Sequence, residues 1–371
     1  MRKYSLSHQR TNHYVLRFGA LLLLAFLAAC TPETKKSEKT TADTEPKQET
    51  QVMEVASISG QQLTGVTVAE SGRLFTNFPR WREGIKMSVA EVKEGNAFAA
   101  YPNAAWNSYS PGDEITDDQF VCVQSVVAYQ TELYVLDTRN PGFKGVLGSP
   151  ALYVFNLEND SLVTFYQFPE GVYLPDSYFN DLRVDADRGK IYMTDSGHPG
   201  LILLDMETGI STRILNEHPS TTAEVDKLTI DGKDWNNRIH SDGIAFDPAN
   251  GKLYYHALSG YTLYALDVAG MYSADGEVSP EDYVSSVAKT AAPDGMIMDL
   301  RGNLYYADLE HHQIMKRSPE GETSVVAEGE KVRWADTFSL HDGYLYYTNS
   351  RIHEAGGDIS SLAFTINKVK I

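Results

Sequence analysis

Five polar positions recur at the head of short apolar stretches: Gln124-Ser125, Asn180-Asp181, Asp242-Gly243, Asp294-Gly295 and Asp336-Thr337. Carboxylates and amides of this kind can hold a cation, hydrogen-bond a polar ligand or move a proton. Taken one at a time, Asp before Gly has a plainer role, accepting from nearby backbone N–H groups to cap a turn. Gathered in one place, Asp242, Asp294 and Asp336 would repel one another at neutral pH. They would then need a cation, a shared proton or a basic partner. Arg139, Arg238 and His240 are close in sequence and are candidates for that partner. All-oxygen donors suit Ca2+ or Mg2+, whereas Zn2+ favours His or Cys. The candidate ligand-binding set is therefore Gln124, Asn180, Asp181, Asp242, Asp294 and Asp336, with Asp294 as candidate general base.

Around that set the chemistry is sparse. There is no Gly-x-Ser-x-Gly elbow, no Walker loop and no His-Glu-x-x-His helix. Cys122 lies in the apolar run Phe120-Val-Cys-Val123 and reads as an inert core thiol. The adjacent pair His311-His312 would face opposite ways on a strand and reads as solvated loop. Asp195, Asp308 and Asn349 could reach the same opening or serve turns, and Trp81, Trp106 and Trp334 could line an aromatic pocket or pack in the core.

What must position these residues is a repeat. Arg73-Leu-Phe75, Glu132-Leu-Tyr134, Lys190-Ile-Tyr192, Lys252-Leu-Tyr254, Asn303-Leu-Tyr305 and Tyr344-Leu-Tyr346 each begin a short strand after a turn. Successive aromatics are 59, 58, 62, 51 and 41 residues apart, room for four strands and variable loops per unit. Each copy follows another apolar strand, and in five of the six that strand opens on one of the polar residues above. The pairs therefore read as hairpins, with Gly72, Gly189, Gly251, Gly302 and Gly343 in their turns. Six units predict an all-β, six-bladed β-propeller over residues 52–371, in preference to an open sandwich. Its inner strands would bring the polar residues to one mouth of a central channel. The last unit shows three strands, so Val52–Ser57 is expected to supply the fourth and close the ring.

The first residues read as an export signal. Arg2, Lys3, Arg10 and Arg17 precede a short apolar run, Leu21 to Ala29, too short for the roughly 20 residues that span a bilayer. Leu27-Ala-Ala-Cys30 has the form of a bacterial lipobox, giving a signal peptide at 1–29, lipidated Cys30 and a disordered linker over 30–51. Acyl chains contribute about 0.8 kcal/mol per buried CH2, so Cys30 would anchor the protein to a membrane, periplasmic or at the cell surface. With Cys30 so used, Cys122 has no disulfide partner. The chain carries a formal charge of −18, which falls near −22 once the four basic leader residues are removed. Such a balance excludes a nucleic-acid partner.

Several segments resemble the yellow/major royal jelly protein family: Asn77-Phe-Pro-Arg-Trp81, Tyr101-Pro-Asn-Ala-Ala-Trp-Asn107, Val123-Gln-Ser-Val126 with Leu133-Tyr-Val-Leu-Asp-Thr138, Asn180-Asp-Leu182 and Tyr192-Met-Thr-Asp-Ser-Gly197. Asp242-Gly-Ile-Ala245, Tyr254-Tyr-His-Ala-Leu-Ser259 and Trp334-Ala-Asp-Thr337 continue the order to about residue 370. The resemblance implies a secreted six-bladed propeller; some relatives are linked to dopachrome conversion, others to binding amines or lipids. Phe179-Asn-Asp181 and Ala292-Pro-Asp-Gly-Met296 are also similar to the gluconolactonase/senescence-marker-protein group. That likeness implies a divalent cation in the channel, on Asn180, Asp242 and Asp294. The group's first-blade Glu has no counterpart in Leu63-Thr-Gly-Val66, and Asp242 stands where the group has Asn.

These readings make the chain an exported, lipid-anchored, monomeric protein that binds a small amine or aromatic ligand at its channel. The alternative is an enzyme using the same channel, a dopachrome-tautomerase-like isomerase or a metal-dependent lactonase or hydrolase. A third reading is a scaffold presenting the insertion around Thr221–Asn237 to partners.

Overall fold

The computed structural model describes residues 51–371. The leader, the lipobox at Cys30 and nearly all of the linker lie outside the described residues. Six four-stranded antiparallel sheets are arranged as a propeller, five of them simple meanders and the sixth completed by the first strand of the domain. The inner strands, one per blade, are Val66–Val68, Val123–Tyr129, Phe179–Asp185, Ser241–Asp247, Met296–Met298 and Ala335–His341. Every second strand carries one of the six repeated apolar pairs, ending at Asn77, Asp137, Asp195, Ala257, Asp308 and Asn349. The turns between them need left-handed backbone, and Gly72 and Gly302 hold φ of 83° and 80° there.

The ring closes as expected. Blade six holds Ala335–His341, Tyr344–Asn349 and Ala363–Lys370, and Met53–Ser59 pairs antiparallel with the last of these. Ala56 is buried beside Phe364 and Ile366, so the two ends of the domain share one core.

Between blades the sheets are sewn by short polar side chains. Thr194 Oγ1 donates to Asp242 O at 2.7 Å, Asn77 Nδ2 to Val123 O and Gln124 O at 3.0 Å each, and Thr348 Oγ1 to Thr64 O at 2.5 Å. Each bond ties a side chain of one blade to a backbone carbonyl of the next. The same logic explains the acids that end second strands. Asp137 accepts from Val121 N and Cys122 N, Asp195 from Tyr178 N, and Asn349 from Trp334 N. Asp195 and Asn349 thus brace the loop entering their own inner strand, and Asp308 caps the next turn at His311 N. Their roles are structural. Cys122 is wholly buried, as expected, and burial pushes its thiol up to about 12.

Among the described residues no helix is long and apolar enough to cross a membrane.

Candidate functional site

In four blades the pairing of the first two strands slips where the inner strand begins. The register breaks between Val123 and Ser125, Phe179 and Leu182, Ser241 and Ile244, and Ala335 and Phe338. The residues caught in these bulges are Gln124, Asn180-Asp181, Asp242-Gly243 and Asp336-Thr337. A bulge frees a side chain from strict alternation and re-aims it; here that places the polar residues at the axial opening. In blade five Asp294-Gly295 leads into the strand at Met296.

The Asp-Gly pairs have a different cause from the turn-capping one expected. A Cβ on Gly243 would stand 2.7 Å from Asp294 O, and one on Gly295 would stand 2.5 Å from Asp336 O. Each glycine lets the next blade's aspartate come in close, so Asp242, Asp294 and Asp336 are packed side by side.

A cavity of about 330 Å³ opens over them, lined by Gln124, Asn180, Asp294 and Asp336 among others. Asp242 lies just behind this surface and shares a hydrogen bond with Asp294. Asp181 is set deeper. It accepts from Ser125 Oγ at 2.7 Å and pairs with Arg183 at 2.8 Å, so it does not line the cavity as expected. Arg183 also donates to Met296 O and faces a second cavity of about 340 Å³ at the other end of the channel.

The three aspartates are all buried. Burial, then the charges of Asp294 and Asp336, hold Asp242 well above the usual carboxylate range. Burial pushes Asp294 up to about 7, against the Trp334 Nε1–H that donates to its Oδ2 at 2.6 Å. Burial, then the charge of Asp294, raises Asp336 well above the ordinary value. Thr337 donates to Asp336 Oδ1 at 3.2 Å, and the buried Ser350 hydroxyl lies near enough to favour the ionised form, although Asp336 Oδ2 makes no well-aligned hydrogen bond. The basic partners expected for this cluster are elsewhere. Arg139 pairs with Asp117 and bonds Tyr153, Arg238 pairs with Asp226, and His240 Nδ1 accepts from Ala223 N.

A relay of neutral groups fixes the amides beside the acids. Trp81 Nε1 donates to Tyr178 OH, which donates to Gln124 Oε1 at 2.8 Å. Gln124 Nε2 then donates to Asn180 Oδ1 at 3.1 Å, and Asn180 Nδ2 to Ser196 Oγ at 3.3 Å. Aromatic walls stand on two sides. Phe143 lies against Trp81 and Tyr178, and Trp235 packs edge-on to Trp334 at 5.0 Å. Trp81 and Trp334 are thus pocket residues as expected, whereas Trp106 packs into the core against Phe120, Tyr153 and Phe155.

Among the lining residues that escaped sequence reasoning are Phe143, Tyr178 and three further polar or aromatic ones. Trp235 comes from a hairpin, Leu228–Ile230 with Lys233–Trp235, inside the insertion expected to stand free. Its turn residue Asp231 is held by His312 Nε2 at 2.8 Å and by Arg333, so the insertion forms a wall of the cavity. His312 is accordingly anchored rather than solvated, while His311 pairs with Asp308. Asp231, His312 and His353 converge, with the Arg333 guanidinium already among them as the cation. The other two are Gln62 and Arg82, just before and after the first blade's inner hairpin.

A sequence profile of the major royal jelly proteins matches residues 123–366, blade two through most of blade six. The chain belongs to the major royal jelly protein family. Major royal jelly protein 3 of Apis mellifera is 23% identical over 290 residues, covering 69% of this chain and 52% of that protein. Protein yellow of Drosophila melanogaster is 28% identical over 159 residues, covering 38% of this chain and 28% of that protein. The matches thus span about half, or less, of those curated relatives. Among solved structures, a luciferin-regenerating enzyme superposes with a TM-score of 0.55 at 11% identity, covering 87% of this chain and 95% of that one. A gluconolactonase from Xanthomonas campestris gives 0.54 at 14%, covering 86% and 89%. At such identity the likeness to both enzymes is one of fold.

For this major royal jelly family chain, a hard cation fits part of the expected set. Asp294 and Asp336 present oxygens, including Asp336 Oδ2, which makes no well-aligned hydrogen bond, with Asp242 behind them. Asn180 Oδ1 already accepts from Gln124. Gln62, on the first blade, gives its Oε1 to Arg82 at 3.1 Å and its Nε2 to Ser350 O at 3.0 Å.

Proposed function

We propose that this chain is an exported, lipid-anchored binding protein that takes a small organic cation with an aromatic body at the channel mouth. The observation that carries the reading is the buried trio Asp242, Asp294 and Asp336, packed side by side. No basic side chain among the described residues makes an ion pair with them. Buried carboxylates so placed attract a cation strongly, because little water competes for it. Trp81, Phe143, Trp235 and Trp334 offer ring faces that favour an ammonium and apolar contact for its body. Membrane attachment through Cys30 rests on the lipobox alone.

Calorimetric titration with tryptamine, tyramine and dopamine at pH 7 tests this. Saturable binding is expected, in the micromolar range typical of a ligand of this size making one buried ion pair, about −8 kcal/mol. Flat titrations across the panel would remove the reading.

One observation favours a catalytic alternative. Asp294, pushed up to about 7 and sharing a hydrogen bond with Asp242, is poised for proton transfer near neutral pH. It would serve a tautomerase-like isomerase, or a lactonase of the kind named for the Xanthomonas neighbour. A hard divalent cation, when bound, would be held by Asp242, Asp294 and Asp336 and would supply Lewis-acid polarisation of a carbonyl oxygen.

A further inference from the structure

The cavity also contains a basic group that has no acid. Arg82 lines the same 330 Å³ space as Asp294 and Asp336. Its Nη2 donates to Gln62 Oε1 at 3.1 Å and to Ala355 O at 3.0 Å, and its Nη1 reaches Gly357 O only at 3.5 Å. All three acceptors are neutral, Arg82 makes no ion pair among the described residues, and its Nε is buried without a partner. Arg80, two residues earlier, also makes no ion pair among the described residues, but its guanidinium is turned to Ile85 O and Asn107 O and does not line this cavity. Other arginines near this end of the barrel are paired with acids: Arg333 with Asp231 and Glu354, Arg351 with Glu354, Arg238 with Asp226 and Arg213 with Asp195.

The two unmatched charges belong to different walls. Arg82 follows the first blade's second strand and is buttressed by the loop that ends at Ala355 and Gly357. The acids come from blades four to six. Gln62 stands between the two walls, giving one end to Arg82 and the other to Ser350 O. An amide in that position can hold both sides at fixed spacing while neutralising neither. Aromatic rings fill the interval, with Trp81 and Phe143 on the Arg82 side and Trp235 and Trp334 on the acid side.

Resting on the cation-binding reading above, we infer that the preferred ligand is amphoteric: an aromatic molecule bearing an ammonium group for Asp294 and Asp336 and an acidic group for Arg82. A carboxylate would displace the weak Nη1 contact to Gly357 O. It would gain a charge-assisted, potentially bidentate pair where the protein provides only neutral acceptors. A simple amine leaves the guanidinium as it is and satisfies half of the site.

Calorimetry with two matched pairs of probes tests this: benzylamine against 4-(aminomethyl)benzoate, and tryptamine against tryptophan. In the wild-type protein at least one amphoteric member is expected to bind tenfold or more tighter than its amine. Arg82→Gln should abolish that preference, bringing the amphoteric probe to within about twofold of the amine measured in the same variant. An unchanged far-ultraviolet spectrum and melting temperature would show that the variant is folded, and Arg82→Lys should retain part of the preference. If the amines bind but neither acid-bearing partner binds tighter, or if the preference survives Arg82→Gln, the amphoteric assignment is wrong and the cation site stands. If no probe of either kind binds, the cation reading itself has failed.

Discussion

Replacing Asp336 with Asn should make the protein more stable and a worse binder at once. The substitution preserves shape and the contact of Thr337 with Oδ1. It replaces the buried Oδ2, which makes no well-aligned hydrogen bond, with an NH2 that can donate toward Asp294. Desolvation and the Asp294 charge, the two causes that raise this carboxyl, both disappear. A gain of about 1–2 kcal/mol in unfolding free energy is expected at pH 7, within the usual range for a single substitution and opposite in sign to most. For a domain of this size that corresponds to roughly 2–4 °C in melting temperature. Affinity for an aromatic amine should fall tenfold or more, because one of the two carboxylates facing the cavity is lost. The pH dependence has a definite sign. A carboxyl held above its unfolded value binds more protons in the folded state, so it favours folding below about pH 4 and loses that contribution as pH rises through its folded value, about 7 for Asp294, with Asp336 shifted in the same direction. Wild-type stability should therefore decline across that window, and Asp336→Asn should flatten the decline. Denaturant unfolding at a series of pH values reads both effects.

Removing the strand Met53–Ser59 should be the most damaging small deletion in the domain. It strips the antiparallel partner from Ala363–Lys370. It also uncovers the cluster in which Ala56 packs with Phe364, Ile366, Leu63 and Phe78. The half-buried Val55 and Ile58 go with it. The cost should exceed about 4 kcal/mol, the level reached only when a core or a sheet is broken open, and the exposed edge should favour aggregation. A thermal melt followed by circular dichroism is expected to lose its cooperative transition or to shift down by more than about 10 °C. Adding a peptide of residues 51–60 should restore part of the loss. A truncated protein that melts within a few degrees of the full domain would show that the closure contributes little.

The two outcomes separate what the sequence makes legible from what it hides. The ring was readable because each blade repeats one local signal: an apolar strand, a glycine turn and an aliphatic–aromatic pair such as Leu253-Tyr254. Those signals depend on residues near one another in the chain. The closing strand was readable by counting, since the last unit lacked a partner. The candidate acids were readable as types at recurring positions, but their grouping depends on bulges and on blade-to-blade distance. Gly295 looks like a turn residue in sequence. It is a close-packing residue because Asp336 O, 41 positions later, lies where its side chain would be. Asp181 follows Asn180 directly, yet a one-residue step turns it to Ser125 and Arg183 and away from the cavity. Trp235 was invisible because its hairpin is anchored by Asp231 to His312 and Arg333, contacts spanning 81 and 102 residues. Arg82 gives no local sign of being unpaired; that emerges only when every neighbouring acid is accounted for.

The central claim is that Asp242, Asp294 and Asp336 form one proton-sharing anionic site that a ligand cation neutralises. The most direct measurement is calorimetric titration of the tightest-binding amine at pH 6.5, repeated in buffers of different ionisation enthalpy. The slope of the observed heat against buffer enthalpy counts protons exchanged on binding. Release of between about half and one proton per amine is expected, since the cation displaces protons from carboxyls held well above their usual range, Asp294 up to about 7, and Asp294→Asn should reduce it toward zero. Binding that exchanges no proton, with an affinity indifferent to Asp294→Asn and Asp336→Asn, would contradict the account.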